Sequence, residues 1–211
     1  VWRDLVSFGI PALMTGLMVA PVNWVGAVIL VNQTGGYSEM GIYTAARQWF
    51  SALVFIPQQI STVMLPILSQ SRGLGRADQA KFQFRLGVTG ILVLAVPMAI
   101  VVALLSATIM GIYGNEYRSG WIVLVLVAVA AIPAAVQVLA SNALAAARKM
   151  WVNFSANMLW AVVYLVAAWW MVQQGVGAAA LALALVLGYS TSLALLLFSV
   201  ARLPHSMPTD Q

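Results

Sequence analysis

The chain has 211 residues, 63% of them hydrophobic and 7% charged, with a mean hydropathy of +0.95. A soluble domain carries about 25% charged residues on its surface, so five acids and ten basic residues cannot clothe this chain in water, and most of its surface must face lipid. The absence of cysteine excludes disulfides and thiolate chemistry, and the net charge of +5 points to cytoplasmic loops rather than to nucleic acid as a partner.

A helix that spans a bilayer needs about 20 mostly apolar residues. Six stretches qualify, at 5–31, 42–68, 86–113, 121–147, 154–172 and 177–200. They are too long and too uniformly apolar for the alternating segments of a β-barrel. An all-α integral membrane protein follows, with one six-helix lobe over 1–202 and a disordered cytoplasmic tail at 203–211. Val1 opens the chain and a span begins almost at once, so a longer parent is expected.

The first four spans each carry proline, at Pro11, Pro21, Pro57, Pro66, Pro97 and Pro133, and all six lie well inside the predicted spans. Proline frees a backbone carbonyl that hydrocarbon cannot satisfy, so a bending, transporter-like bundle is expected. Basic residues divide unevenly between the two ends of the spans. Arg3, Arg72, Arg76, Lys81, Arg85, Arg148, Lys149 and Arg202 fall on one side, against Arg47 and Arg118 on the other. The side richer in Lys and Arg is cytoplasmic, so both termini are expected there. Residues 70–85 form the largest expected cytoplasmic loop, whose charge sets topology and whose Leu74, Ala77 and Phe82 could rest on lipid.

Span two is the most informative. Thr44, Gln48, Ser51, Phe55, Gln58 and Thr62 recur at helical spacing along one face, with Arg47 and Gln59 beside them. Span five carries Asn153, Asn157, Trp160 and Tyr164 on one face, span four offers Gln137, Ser141 and Asn142, and span one offers Thr15 and Asn23. Span three is nearly all apolar and is expected to face lipid. Amides and a guanidinium are costly against lipid. They either tie helices together or line a hydrated cavity suited to a polar substrate such as a sugar. The cavity is the favoured reading, with Asn23, Thr44, Arg47, Gln48, Ser51, Gln58, Gln137, Asn157 and Trp160 as its candidate residues. In an isolated lobe, Thr44, Gln48, Ser51, Gln58 and Asn157 are expected to line an open groove.

Asp4, Glu39, Asp78, Glu116 and Asp210 all fall at span ends or in loops, so no ion-coupling carboxylate is evident. The sequence contains no phosphate-cradling glycine loop, metal cluster or nucleophilic triad. Neither an enzyme activity nor a cofactor is expected.

Several blocks of sequence carry a resemblance. They are Pro11-Ala12-Leu13, Gly16, Pro21-Val22-Asn23-Trp24, residues 35–49 from Gly35 to Trp49, Phe55-Ile56-Pro57 and Leu65-Pro66-Ile67-Leu68-Ser69. Together they resemble the Wzx-type O-antigen and polysaccharide flippases, whose superfamily includes multidrug and toxin extrusion transporters. The resemblance implies one lobe, the second, of a two-lobe transporter fold, with a further six-helix lobe as partner. It implies movement of an undecaprenyl-pyrophosphate-linked oligosaccharide across the bacterial inner membrane by alternating access. Two alternatives stay open: a lobe of a multidrug-type cation antiporter, and a membrane subunit that transports nothing.

Overall fold

The computed structural model describes residues 5–74 and 77–202. The expected tail at 203–211 lies outside the described residues, as do Arg3 and Arg76. A π-helical turn at Leu5–Gly9 leads into α1 (Ile10–Val31), followed by α2 (Gly36–Gly73), α3 (Ala77–Leu104) and a short α4 (Ser106–Ile112). After a 3-10 turn at Asn115–Gly120 come α5 (Trp121–Ala146), α6 (Met150–Gln173) and α7 (Ala178–Ala201). All of these helices except α4 are long and apolar enough to cross a membrane. The chain is a multi-pass, all-α membrane protein.

Three helices, α2, α3 and α6, start before their apolar spans. α2 has 38 residues, about 57 Å at 1.5 Å per residue, against a hydrocarbon core of about 30 Å. Hydropathy marks the part in lipid, while backbone hydrogen bonding continues through the amphipathic flanks. Three expectations change. Residues 70–85 are no extended loop, because α2 runs to Gly73 and α3 starts at Ala77. Glu39 is in the first turn of α2 rather than in a loop. Pro11 sits at the start of α1 rather than well inside it, where a missing N–H costs little.

α5 is the central column. It packs against α2, α7 and α3, while α6 packs on α7 and α1 packs on α6. Alanine explains why: Ala128, Ala130, Ala131, Ala134, Ala135, Ala140 and Ala143 are buried on α5, and small residues let neighbouring helices approach closely. α3 only half meets its lipid-facing expectation. Val93, Leu94, Ile100 and Val101 are exposed, but Ile91, Ala95 and Ala99 are buried. α1 and α2 meet sparsely.

Successive spans run antiparallel, so the connections fall at two poles. One pole holds residues 73–74 and 147–149 and is rich in basic residues; the other holds residues 32–35, 113–120 and 174–177. Polar ties close both. At the second pole the Ala178 N–H donates to Glu39 Oε2 at 2.7 Å, and Gln33 Nε2 donates to the Val172 carbonyl at 2.7 Å. The Glu39 carboxylate thereby caps the α7 N-terminus, where negative charge is favoured. Gly177 makes room for it: its φ is +65°, and a Cβ there would come within 2.6 Å of Glu39 Oε2. At the basic pole the Ser71 hydroxyl donates to Gln83 Oε1 at 2.8 Å, joining α2 to α3.

Candidate functional site

The α2 stripe lies on the open side of that helix. Thr44, Gln48, Ser51, Phe55, Gln58, Gln59 and Thr62 are all exposed. The opposite face, with Tyr43, Ala46, Phe50, Pro57 and Ser61, is buried. Near the second pole Thr44 and Gln48 line a cleft of about 400 Å³ with Tyr113 and Tyr117, and the Tyr113 hydroxyl donates to Gln48 Oε1 at 3.4 Å. That bond is long and therefore weak. The rest of the stripe continues, exposed, along the same face of α2. In a membrane, exposed amides on a spanning helix need a polar partner or water, since lipid supplies neither.

Arg47 stands between the open and buried faces of α2. Its guanidinium lies 4.5 Å over the Phe50 ring. Phe50 is one helical turn along α2, so the two side chains share a face of that helix. Phe50 begins an aromatic ladder through the lobe. Its ring stacks on Tyr189 of α7 at 5.5 Å, Tyr189 meets Trp160 of α6 at 5.6 Å, and Trp160 stacks on Tyr164 at 5.6 Å and 8°. Arg47 is also the charged neighbour of the Tyr43, Tyr164 and Tyr189 hydroxyls. Arg47 Nη1 and Trp160 Nε1 are buried without a hydrogen-bond partner. The ladder and these donors back the stripe with a polar, aromatic wall.

The other candidates lie apart from the stripe. Asn23 of α1 is half-buried and donates to the Val19 carbonyl of its own helix at 2.8 Å. Asn157 is half-buried rather than open to the groove, and donates to the Asn153 carbonyl at 2.9 Å. Gln137 is buried on α5, and its Oε1 has no partner. Asn142 ties helices together instead: its Nδ2 donates to the Ser61 carbonyl of α2 at 2.9 Å. The two explanations for polar residues thus divide by helix, with α5 supplying a tie and α2 an open stripe. Sequence reasoning passed over Tyr43, Phe50, Tyr189 and Ser192. The available signal was the run Tyr189-Ser190-Thr191-Ser192, polar in the middle of an otherwise apolar α7. Among the described residues, no three His, Asp or Glu side chains gather in a way that could hold a metal ion.

The family described as "Polysaccharide biosynthesis protein" matches residues 1–122. The EPS I polysaccharide export inner membrane protein EpsE of Ralstonia nicotianae is 31% identical over 189 residues, which cover 89% of this chain and 43% of that protein. EpsE of Ralstonia solanacearum matches to the same extent. The probable multidrug resistance protein NorM of Halalkalibacterium halodurans is 23% identical over 122 residues, which cover 58% of this chain and 26% of NorM. The chain therefore spans less than half the length of the curated relatives it matches. No solved structure matches it. With the family match covering more than half of an all-α membrane chain, this chain belongs to the polysaccharide biosynthesis protein family.

Proposed function

We propose that this chain is one six-helix lobe of a polysaccharide exporter of the bacterial inner membrane. The whole transporter flips an undecaprenyl-pyrophosphate-linked oligosaccharide by alternating access, and a second lobe closes the cavity. The observation that carries this reading is the exposed stripe Thr44, Gln48, Ser51, Gln58 and Thr62 on a membrane-spanning helix. Such a face needs a water-filled cavity or a partner, and amides and hydroxyls match the hydroxyls of a glycan. The EpsE likeness supports the same substrate class. A multidrug-type antiporter, by contrast, needs acids on this face, whereas the stripe is built of neutral groups. A subunit that transports nothing needs its polar face sealed by helix contacts.

The test is export by the full-length parent. Changing Gln48 and Gln58 together to Leu removes two neutral hydrogen-bonding groups. At about 1 kcal/mol each, their loss predicts roughly a thirtyfold fall in surface glycan export, with the protein level in the membrane unchanged. Export at the wild-type rate would remove the main support for the reading.

Both termini face the cytoplasm in this reading, which the uneven spread of basic residues supports. Single cysteines at Ser38, Ser119 and Gln174, all exposed at the second pole, should react with an impermeant thiol reagent added outside intact cells. A cysteine at Gln79, exposed at the basic pole, should not. Ala80 is unsuitable as the inner probe because it is buried at 2% exposure. Labelling in the reverse pattern would invert the orientation.

A further inference from the structure

A second concavity opens at the basic pole, away from the stripe. It has a volume of about 260 Å³ and lies where α3, α5 and α7 converge near the end of α2. Lys81 and Arg85, one helical turn apart on α3, supply its polar side, while Leu68, Phe84, Leu197 and Val200 make its apolar walls. Among the described residues the lining is made of these cations and apolar side chains, and Asp78, one turn earlier on α3, is exposed and lies outside it. None of the exposed stripe residues of α2 lines this pocket.

Its position sets the depth. Lys81 and Arg85 fall in the first turns of α3, and Val200 falls in the last turn of α7. Both are at the ends of spanning helices, at the level of lipid headgroups rather than at the middle of the bilayer. An arrangement of two cations over an apolar floor at that depth complements an amphiphile with a negative head and a hydrocarbon tail. Basic pockets between transmembrane helices bind anionic headgroups for this reason.

We propose that this pocket binds an anionic phospholipid of the bilayer. Lys81 and Arg85 hold its phosphate, and one acyl chain lies against Leu68, Phe84, Leu197 and Val200. The inference rests on the membrane-spanning fold alone and stands whether or not the protein moves a glycan. The guanidinium of Arg85 offers forked donors to phosphate oxygens, and Lys81 adds a second positive charge.

Native mass spectrometry on the purified, delipidated protein tests this, with dioleoylphosphatidylglycerol and dioleoylphosphatidylcholine as probes. Phosphatidylglycerol should fill one saturable site that phosphatidylcholine does not. The double change Lys81→Ala with Arg85→Ala should weaken that site about thirtyfold, from two basic contacts near the surface. Removing the same charge elsewhere, by Arg118→Ala with Lys149→Ala, should leave the site intact. Ala201→Trp plugs the pocket without altering charge and should also weaken it, which separates pocket binding from charge alone. Thermal melting of each variant identifies any that fail to fold. Equal losses from the two charge pairs would reduce the site to diffuse attraction and overturn the proposal. So would equal binding of the two phospholipids. Displacement of phosphatidylglycerol by substoichiometric undecaprenyl phosphate would overturn it in favour of a substrate entry site.

Discussion

Arg47→Met in the full-length parent should cut glycan export by about ten- to a hundredfold while the protein level in the membrane stays at that of the wild type. In the proposed transport cycle Arg47 meets the pyrophosphate of the lipid-linked sugar at the end of the stripe nearer the second pole, with Thr44, Gln48 and Ser51 beside it. A guanidinium presents paired donors that match phosphate oxygens, whereas an ammonium is a point charge, so Arg47→Lys should lose export as well. Stability should move little or even rise with Met. The native Nη1 is buried without a hydrogen-bond partner, and exchanging an under-satisfied buried charge for an apolar side chain of similar volume is often neutral or stabilising. Met also keeps contact with the Phe50 ring that the guanidinium now covers at 4.5 Å. Export in the variant and stability of the purified protein are measured side by side. Wild-type export from Arg47→Met would remove Arg47 from substrate contact and leave it a packing residue. A fall in both readouts together would assign it to folding.

Gly26→Ala should destabilise the protein by about 1–3 kcal/mol, the usual cost of overpacking a filled interior. Gly26 is where α1 crosses α6. A Cβ there would come 2.5 Å from Tyr164 Oη, and 2.9 and 3.0 Å from two ring carbons. The Tyr164 ring has no room to retreat, because it is fully buried and stacked on Trp160. Either α1 must lift from α6 or the aromatic ladder must break. Tyr164→Phe removes the hydroxyl and its closest approach, so adding it to Gly26→Ala should recover part of the loss while leaving the ring contacts. Gly16 provides the control on the same helix. Nothing lies within 4 Å of its would-be Cβ, so Gly16→Ala should be neutral or slightly stabilising through alanine's higher helix propensity. Thermal unfolding of the purified variants reads all of this. Equal behaviour of the two glycine variants would mean that α1 does not cross α6 this closely.

That the chain lives in lipid was legible from composition, because so few charges cannot solvate so much apolar surface. So were the six spans from the sequence, since twenty apolar residues in a row have few other stable environments. The α2 stripe was legible for a related reason: Thr44, Gln48, Ser51 and Gln58 repeat at the helical period against an apolar background, and periodicity is a property of the sequence alone. Helix ends were less legible. Hydropathy reports immersion in lipid, and α2 continues past it at both ends through polar residues such as Glu39 and Gln70. The break between α3 and α4 at Leu105 left no trace either, because Leu104-Leu105-Ser106 offers no proline or glycine to announce it. Which way each polar side chain turns depends on packing between helices. Gln137 and Gln58 are the same residue type on two spanning helices, yet Gln137 is buried by the neighbours of α5 and Gln58 stands exposed. Arg47 turns inward because Phe50, Tyr189 and Trp160 come from three different helices to form one wall. Those neighbours lie up to 142 positions away in sequence, and no local pattern around Arg47 encodes them.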